Sequence, residues 1–255
     1  MKKTIYLLAS VILLFSCKKA TTTPPTNTPN SVACVDNPNI SFTSIGTPIG
    51  KFGDCIKDVD GNSYKTVTIG SQTWMAENLK VSKYNDGTNI TNITDNTQWS
   101  KLTTGAWVYY NNDTTNNAKY GKLYNWYALS SKTNGNKNVC PTGWHVPSDA
   151  EWTVLTEYLG GANIAGCKMK EGGTTNWNSP NTDATNTSLF TGLPGANRDD
   201  DGDYDGSIGD GGGWWSSTEV DTNDTWFRFL TNKDDKAGRY AIGKRFGFSV
   251  RCLKD

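Results

Sequence analysis

The densest chemistry in the chain is a run of carboxylates. Asp201, Asp203 and Asp205 stand at alternate positions, and Gly206 and Ile208 follow, giving D-x-D-x-D-G-x-I. Carboxylates at this spacing converge on one hard cation, and the glycine permits the sharp turn. The twelfth place of such a loop is Gly212, where an EF-hand carries a bidentate glutamate, so neighbouring acids must complete the shell. The expected metal set is Asp199, Asp201, Asp203 and Asp205, with calcium as the ion; the competing reading is a solvated acidic turn. Trp214 and Trp215, with Trp177 upstream, form a candidate ligand-binding platform on which sugar rings could stack, against the alternative of core packing. Trp74, Trp126, Trp144 and Trp152 lie in apolar blocks and read as core.

Catalysis has weaker support. His145 is the single histidine, with no Ser or Cys partner in view. Its place beside a helix start suggests a structural hydrogen bond. The acidic residues cluster in a Gly-rich stretch, where nothing is expected to raise one carboxyl pKa by burial. The chain therefore reads as a non-enzyme. Basic and acidic residues number 25 each and form no long block, which argues against nucleic acid as a partner.

The elements that must position these groups can be read locally. Ser148 and Glu151 fit a capping box, each able to satisfy an orphan backbone N–H. A helix is expected from about Asp149 to Tyr158, with Trp152, Leu155 and Leu159 on one face and a stop at Gly160-Gly161. Asp60-Gly61 reads as a hairpin turn. Strands are expected at Tyr64–Ile69, Gln72–Met75 and Ala106–Tyr110, and Leu123–Leu129 as a short helix or turn. Thr225–Leu230 and Gly247–Arg251 are expected to close the sheet, with Phe246, Phe248, Val250 and Cys252 alternating on one face. Between them, Thr174 to Gly213 is Asn/Asp/Gly-rich with little periodicity. Loops of that length are uncommon unless functional.

Seven ordered blocks carry a resemblance. They are DVDGNSYKTVTIGSQTWMAENL (Asp58–Leu79), YNDGT (Tyr84–Thr88), YGKLYNWYA (Tyr120–Ala128), CPTGWHVPSDAEW (Cys140–Trp152), FTGLPGANRD (Phe190–Asp199), WWSSTE (Trp214–Glu219) and FGFSVRC (Phe246–Cys252). From about Asp54 to Asp255 the chain resembles the Fibrobacter succinogenes major paralogous domain, a family of secreted and envelope proteins. The resemblance implies an α+β, C-type-lectin-like fold of short antiparallel strands, one or two helices and a long loop region where ligands bind. It also implies a Cys140–Cys252 bond tying the helix-bearing segment to the last strand. The related formylglycine-generating enzymes use a close cysteine pair near the C-terminus, whereas Cys252 stands far from Cys167. The E-P-N, Q-P-D and W-N-D signatures of calcium-bridged sugar sites are absent; Asn223-Asp224 is the nearest echo.

The amino terminus fixes the expected compartment. Lys2 and Lys3 precede an apolar stretch of about a dozen residues, too short to span a membrane comfortably. It ends in Leu14-Phe15-Ser16-Cys17, which reads as a lipoprotein signal with lipidation at Cys17. Residues 17–33 form a Thr/Pro/Asn-rich tether, 34–53 an N-terminal extension, and 54–255 the folded domain. Six cysteines less Cys17 leave five. Export permits disulfides, and an odd count leaves a thiol. Cys34–Cys55 is the local candidate pair, which leaves Cys167 free. No spacing suits zinc. The expectation is a lipid-anchored cell-envelope protein, in the outer membrane, binding polysaccharide or a surface protein; a structural envelope component without a small ligand is the alternative, and a formylglycine-generating-like or glycan-active enzyme comes third.

Overall fold

Ser148 nucleates the longest helix as its sequence requires. In the computed structural model, which describes residues 48–255, the Ser148 hydroxyl accepts from Glu151 N at 3.3 Å, and Glu151 accepts from Ser148 N at 2.7 Å. Two acids in the first turn favour the positive end of the helix dipole. This helix is α4 (Asp149–Tyr158). It stops where Gly160 and Gly161 take φ of 103° and 97°, values that L side chains rarely adopt. Its inner face buries Trp152 and Leu155, and Leu159 just past its end is also buried. Trp152 lies 4.7 Å from Trp74 and 5.9 Å from Phe190, ring centre to ring centre. The other helices are α1 (Asn96–Trp99), α2 (Asn117–Tyr120), α3 (Ser131–Asn134) and α5 (Ala162–Met169).

The strands are short and mostly antiparallel. The largest sheet orders β1 (Lys51–Phe52), β4 (Thr66–Ile69), β5 (Gln72–Met75), β14 (Leu253–Lys254) and β9 (Trp144–His145). The carboxyl-terminal strand thus lies inside the sheet, and Leu253 pairs with both Trp74 and His145. Lys51 and Phe52, read from sequence as extension, pair with β4. β2 (Ile56–Lys57) and β3 (Ser63–Tyr64) form the hairpin around Asp60-Gly61. β6 (Thr91–Asn92), β7 (Ala106–Val108), β8 (Leu123–Asn125) and β13 (Gly247–Phe248) make a third sheet, with β6–β7 parallel. β10 (Gly211–Glu219), β11 (Asp224–Thr231) and β12 (Gly238–Gly243) make the fourth, in that order. The strand at β12 has no counterpart in the sequence reading.

Cys140 and Cys252 are bonded, with their Cα atoms 5.9 Å apart. Cys55 and Cys167 each take part in a disulfide as well, and no described cysteine is a free thiol. This corrects the expectation that Cys167 is free. Cys17, Cys34 and the tether lie outside the described residues.

The segment GFSVRC is buried on both faces rather than one. Phe248, Val250 and Cys252 enter one core cluster, while Ser249 and Arg251 on the other side are 2% and 0% exposed. Backbone flanks it on both sides: Trp215 N donates to Ser249 O, and Leu79 N to Val250 O.

The long stretch between α5 and β10 also departs from expectation. It holds no named helix or strand, yet much of it is interior, with Phe190 fully buried. Loops normally stay at the surface because their backbone polar groups need partners. Here buried side chains supply them. The Lys170 ammonium donates to the carbonyls of Thr182, Thr231 and Asp234 at 3.0, 3.0 and 2.6 Å. Arg251 donates to the carbonyls of Phe190 and Thr191 and to Asn78 Oδ1. Burial pushes the Lys170 pKa down to about 8, and Arg251 down to about 9.

Candidate functional site

The three tryptophans expected to bind ligand do not reach a surface. Trp177 is 1% exposed, and Trp214 and Trp215 are 0%. Each indole N–H is already satisfied inside the protein: Trp177 by Gly192 O at 3.0 Å, Trp214 by Asn78 Oδ1 at 2.9 Å, Trp215 by Tyr124 O at 2.6 Å. They are core residues. The reason is alternation within β10, which places Trp214 and Trp215 on opposite faces of a sheet that is covered on both sides there.

The Asp-rich run does not gather into a cation shell either. Among the described residues, no group of three or more His, Cys, Asp or Glu is placed to hold a metal. Arg198, just before the run, instead anchors it to residues 93–96. Arg198, 0% exposed, donates to Gly202 O at 2.7 Å, Ile93 O at 2.7 Å, Thr94 O at 3.0 Å and Asn96 Oδ1 at 2.9 Å. Its guanidinium also sits 4.5 Å from the centre of Trp99 and 5.0 Å from Tyr204. Of these acceptors only Gly202 O belongs to the acidic run; the other three tie the run to residues 93–96. Asp201 and Asp203 are spent on local bonds, to Asp203 N and Asn96 Nδ2 respectively. Tyr110 O–H donates to Gly206 O at 2.8 Å and pins the far side of the loop.

His145 makes the structural contacts anticipated for it. Its ring nitrogens lie 2.6 Å from Asp255 and 3.0 Å from Glu151. Burial opposes the charged form, but the hydrogen bonds to those two carboxylates outweigh it and raise the His145 pKa.

A concave feature among the described residues lies on the β10–β11–β12 sheet. Phe227 pairs across strands with Tyr240, and Phe229 with Gly238, so the rings at 227, 229 and 240 share a face. Phe248 and Phe246 approach that face from the segment around β13. Together they line a groove of about 570 Å³. Phe227 and Phe248 are stacked, 4.5 Å apart and inclined by 16°, and form its floor. Tyr240, 54% exposed, forms its rim. Glycines make the floor possible. A Cβ at Gly211 would lie 2.4 Å from the Phe229 ring, and one at Gly213 2.4 Å from the Phe248 ring. The triple glycine lets these rings lie against bare backbone.

The polar end of the groove is Asn197, Asp199, Asp205 and Thr231. Arg198 positions it: its backbone exchanges two hydrogen bonds with Gly247, at 3.0 and 2.7 Å, which sets Asp199 beside the Phe246–Phe248 segment. Asp199 Oδ1 accepts from Asn197 Nδ2 at 2.8 Å. Burial, then repulsion from Asp205, Asp201 and Asp200, pushes the Asp199 pKa up to about 6. This corrects the expectation that nothing in the run would raise a carboxyl by burial. An apolar groove with a few convergent polar groups and a perturbed carboxyl is the usual form of a binding site.

Sequence reasoning found the Asp199 end and missed the aromatic wall. The signal was present: Phe227 and Phe229 alternate in DTWFRFLT, and Gly211-Gly212-Gly213 precedes the tryptophans. Sequence cannot say which face of that strand is left open.

The site thus belongs to an α+β domain of short, mostly antiparallel sheets with few helices. The family model of the Fibrobacter succinogenes major domain matches residues 67–254, and the chain belongs to that family. No curated protein and no solved structure matches it.

Proposed function

We propose that this protein is a lipid-anchored cell-envelope module that binds a polysaccharide or a surface protein without chemical turnover, through the groove on β10–β11–β12. The observation that carries the reading is the groove itself: an aromatic floor and rim ending in free acceptor oxygens. Aromatic rings supply large rigid contact area, and polar groups at one end fix orientation. The groove's lining contains no histidine, lysine or cysteine; its carboxyl groups are those of Asp199 and Asp205. The sequence of residues 1–33 supports the anchor at Cys17 and a tether that holds the domain off an outer membrane. Many copies on one surface would offset weak single-site affinity. Calcium is no part of this reading, because among the described residues the carboxylates of the run do not gather into a group that could hold a metal.

One observation favours turnover. Asp199, with its pKa near 6, is partly protonated near neutral pH, as a general acid is. Release of reducing ends from a polysaccharide by the wild type, lost in Asp199→Asn, would replace the binding reading.

The test is attachment of the full chain to glycan and protein arrays, with Tyr240→Ala and Phe246→Ala in parallel. Both rings are at least partly exposed, so the variants should keep their melting temperatures and lose binding at least tenfold. Ligands that bind both variants as well as wild type would place recognition elsewhere. Metabolic labelling with an alkyne fatty acid should mark the wild type and not Cys17→Ser; a labelled variant would remove the anchor from the reading.

A further inference from the structure

Three features of the groove bear on what it holds. The first is uncompensated charge. Asp199 and Asp205 both line the polar end, and among the described residues no cationic side chain pairs with either. Asp199 has one partner, the neutral amide of Asn197, on Oδ1. The nearby ion pair, Arg245 with Asp200 at 3.6 Å, leaves both untouched. A neutral ligand would leave this repulsion in place, whereas a cation would relieve it.

The second feature is the wall beside those carboxylates. Phe229, Phe246 and Tyr240 present aromatic surface next to the acids. A guanidinium suits both surroundings, because it bonds a carboxylate through two N–H groups and stacks on rings. The protein uses the same device itself, where Arg239 donates to both carboxylate oxygens of Asp149 and lies 3.3 Å from the ring centre of Trp226.

The third feature is the edge of the sheet. β12 is the outermost strand and pairs only with β11. Arg239, Tyr240 and Ala241 along it are exposed. An unpaired edge offers a row of backbone donors and acceptors to an extended chain, and side chains of that chain then fall into adjacent pockets.

Resting on the reading that this groove is the recognition site, we infer that its occupant is an extended protein segment carrying a basic side chain, arginine by shape. That side chain sits against Asp199 and Asp205, its apolar neighbours lie on Phe229 and Tyr240, and its backbone runs along β12. Charge complementarity chooses this occupant over a neutral polysaccharide. Arginine stays protonated throughout the accessible range, so its own charge does not change between pH 5 and 7.5. Protonation of Asp199 below about 6 weakens the attraction, so affinity should rise with pH.

The test pans a displayed library of random nine-residue peptides against the full chain, with Asp199→Asn/Asp205→Asn in parallel. The selected wild-type binder is then synthesised with arginine or with its neutral isostere citrulline. The expected result is enrichment of Arg or Lys with wild type only, at least tenfold weaker binding of the citrulline peptide, and at least threefold weaker binding at pH 5 than at 7.5. Thermal unfolding of the double variant should be no lower than that of wild type. Peptides without basic enrichment, equal binding of the citrulline form, or a neutral glycan that displaces them and binds more tightly would overturn the basic-segment inference, while leaving the groove as a binding site. If Tyr240→Ala and Phe246→Ala bind every selected ligand unchanged, the groove reading falls with it.

Discussion

Removing the Cys140–Cys252 bond should cost this domain a large share of its stability. The perturbation is the double variant Cys140→Ala/Cys252→Ala, which avoids leaving a lone thiol. The bond closes a loop with a sequence separation of 112, and loop-closure entropy alone then gives about 4–5 kcal/mol. Both residues are buried, at 1% and 0% exposure, in the larger core cluster, so trimming each to alanine adds on the order of 1 kcal/mol of lost packing. The total, about 5–6 kcal/mol, compares with about 5–15 kcal/mol for a whole domain. Little else fastens the carboxyl terminus by backbone pairing. β14 is two residues long and meets β5 at a single residue pair and β9 at two. The assay is equilibrium urea unfolding followed by tryptophan fluorescence. The midpoint should fall sharply, and the slope should steepen, because the unlinked unfolded chain exposes more surface. A loss below about 1 kcal/mol, the size of an ordinary surface substitution, would refute the claim that the bond holds the terminal strand in register.

Other outcomes follow from the packing and the charges. Trp177→Ala, Trp214→Ala and Trp215→Ala should each destabilise by about 3–5 kcal/mol in the same urea assay; a variant within about 1 kcal/mol of wild type would return that tryptophan to the surface. The His145 pKa is raised by Asp255 and Glu151 against the effect of burial, so its contribution is fully present below about pH 6.5 and fades as pH climbs through the raised value. The melting-temperature gap between wild type and His145→Gln should therefore shrink from pH 5.5 to pH 9, and a gap that widens would contradict the imidazolium clamp. Gly211→Ala places a methyl group where the Phe229 ring lies. It should cost roughly 1–3 kcal/mol by thermal or urea unfolding and weaken groove binding, whereas unchanged stability and binding would mean that the ring moves freely.

Local rules sufficed for one class of feature, and packing decided the rest. The helix at 149–158 was legible because its start is written in Ser148 and Glu151 and its stop in Gly160-Gly161, all within one or two turns of the residues they govern. The Asp60-Gly61 hairpin and the strand at 72–75 follow for the same reason. The Cys140–Cys252 bond was legible through resemblance, since no local rule joins residues so far apart in sequence. Burial of the stretch from 174 to 210 was not legible. It depends on Lys170, Arg198 and Arg251, whose charges mark them as surface residues until the carbonyls that they satisfy are in view. The acidic run could be read as a metal loop because its own residues are suited to one; Arg198, which anchors the run, makes contacts with residues 93–96 that sequence does not disclose. The face of β11 that stays open was settled by three glycines and by the approach of Phe246 and Phe248 from the far end of the chain. Sequence therefore determined the capped helix, the Asp60-Gly61 hairpin and the strand at 72–75. Tertiary structure decided which aromatic rings face solvent and which carboxylates lack a counter-charge, because both depend on contacts between segments remote in sequence.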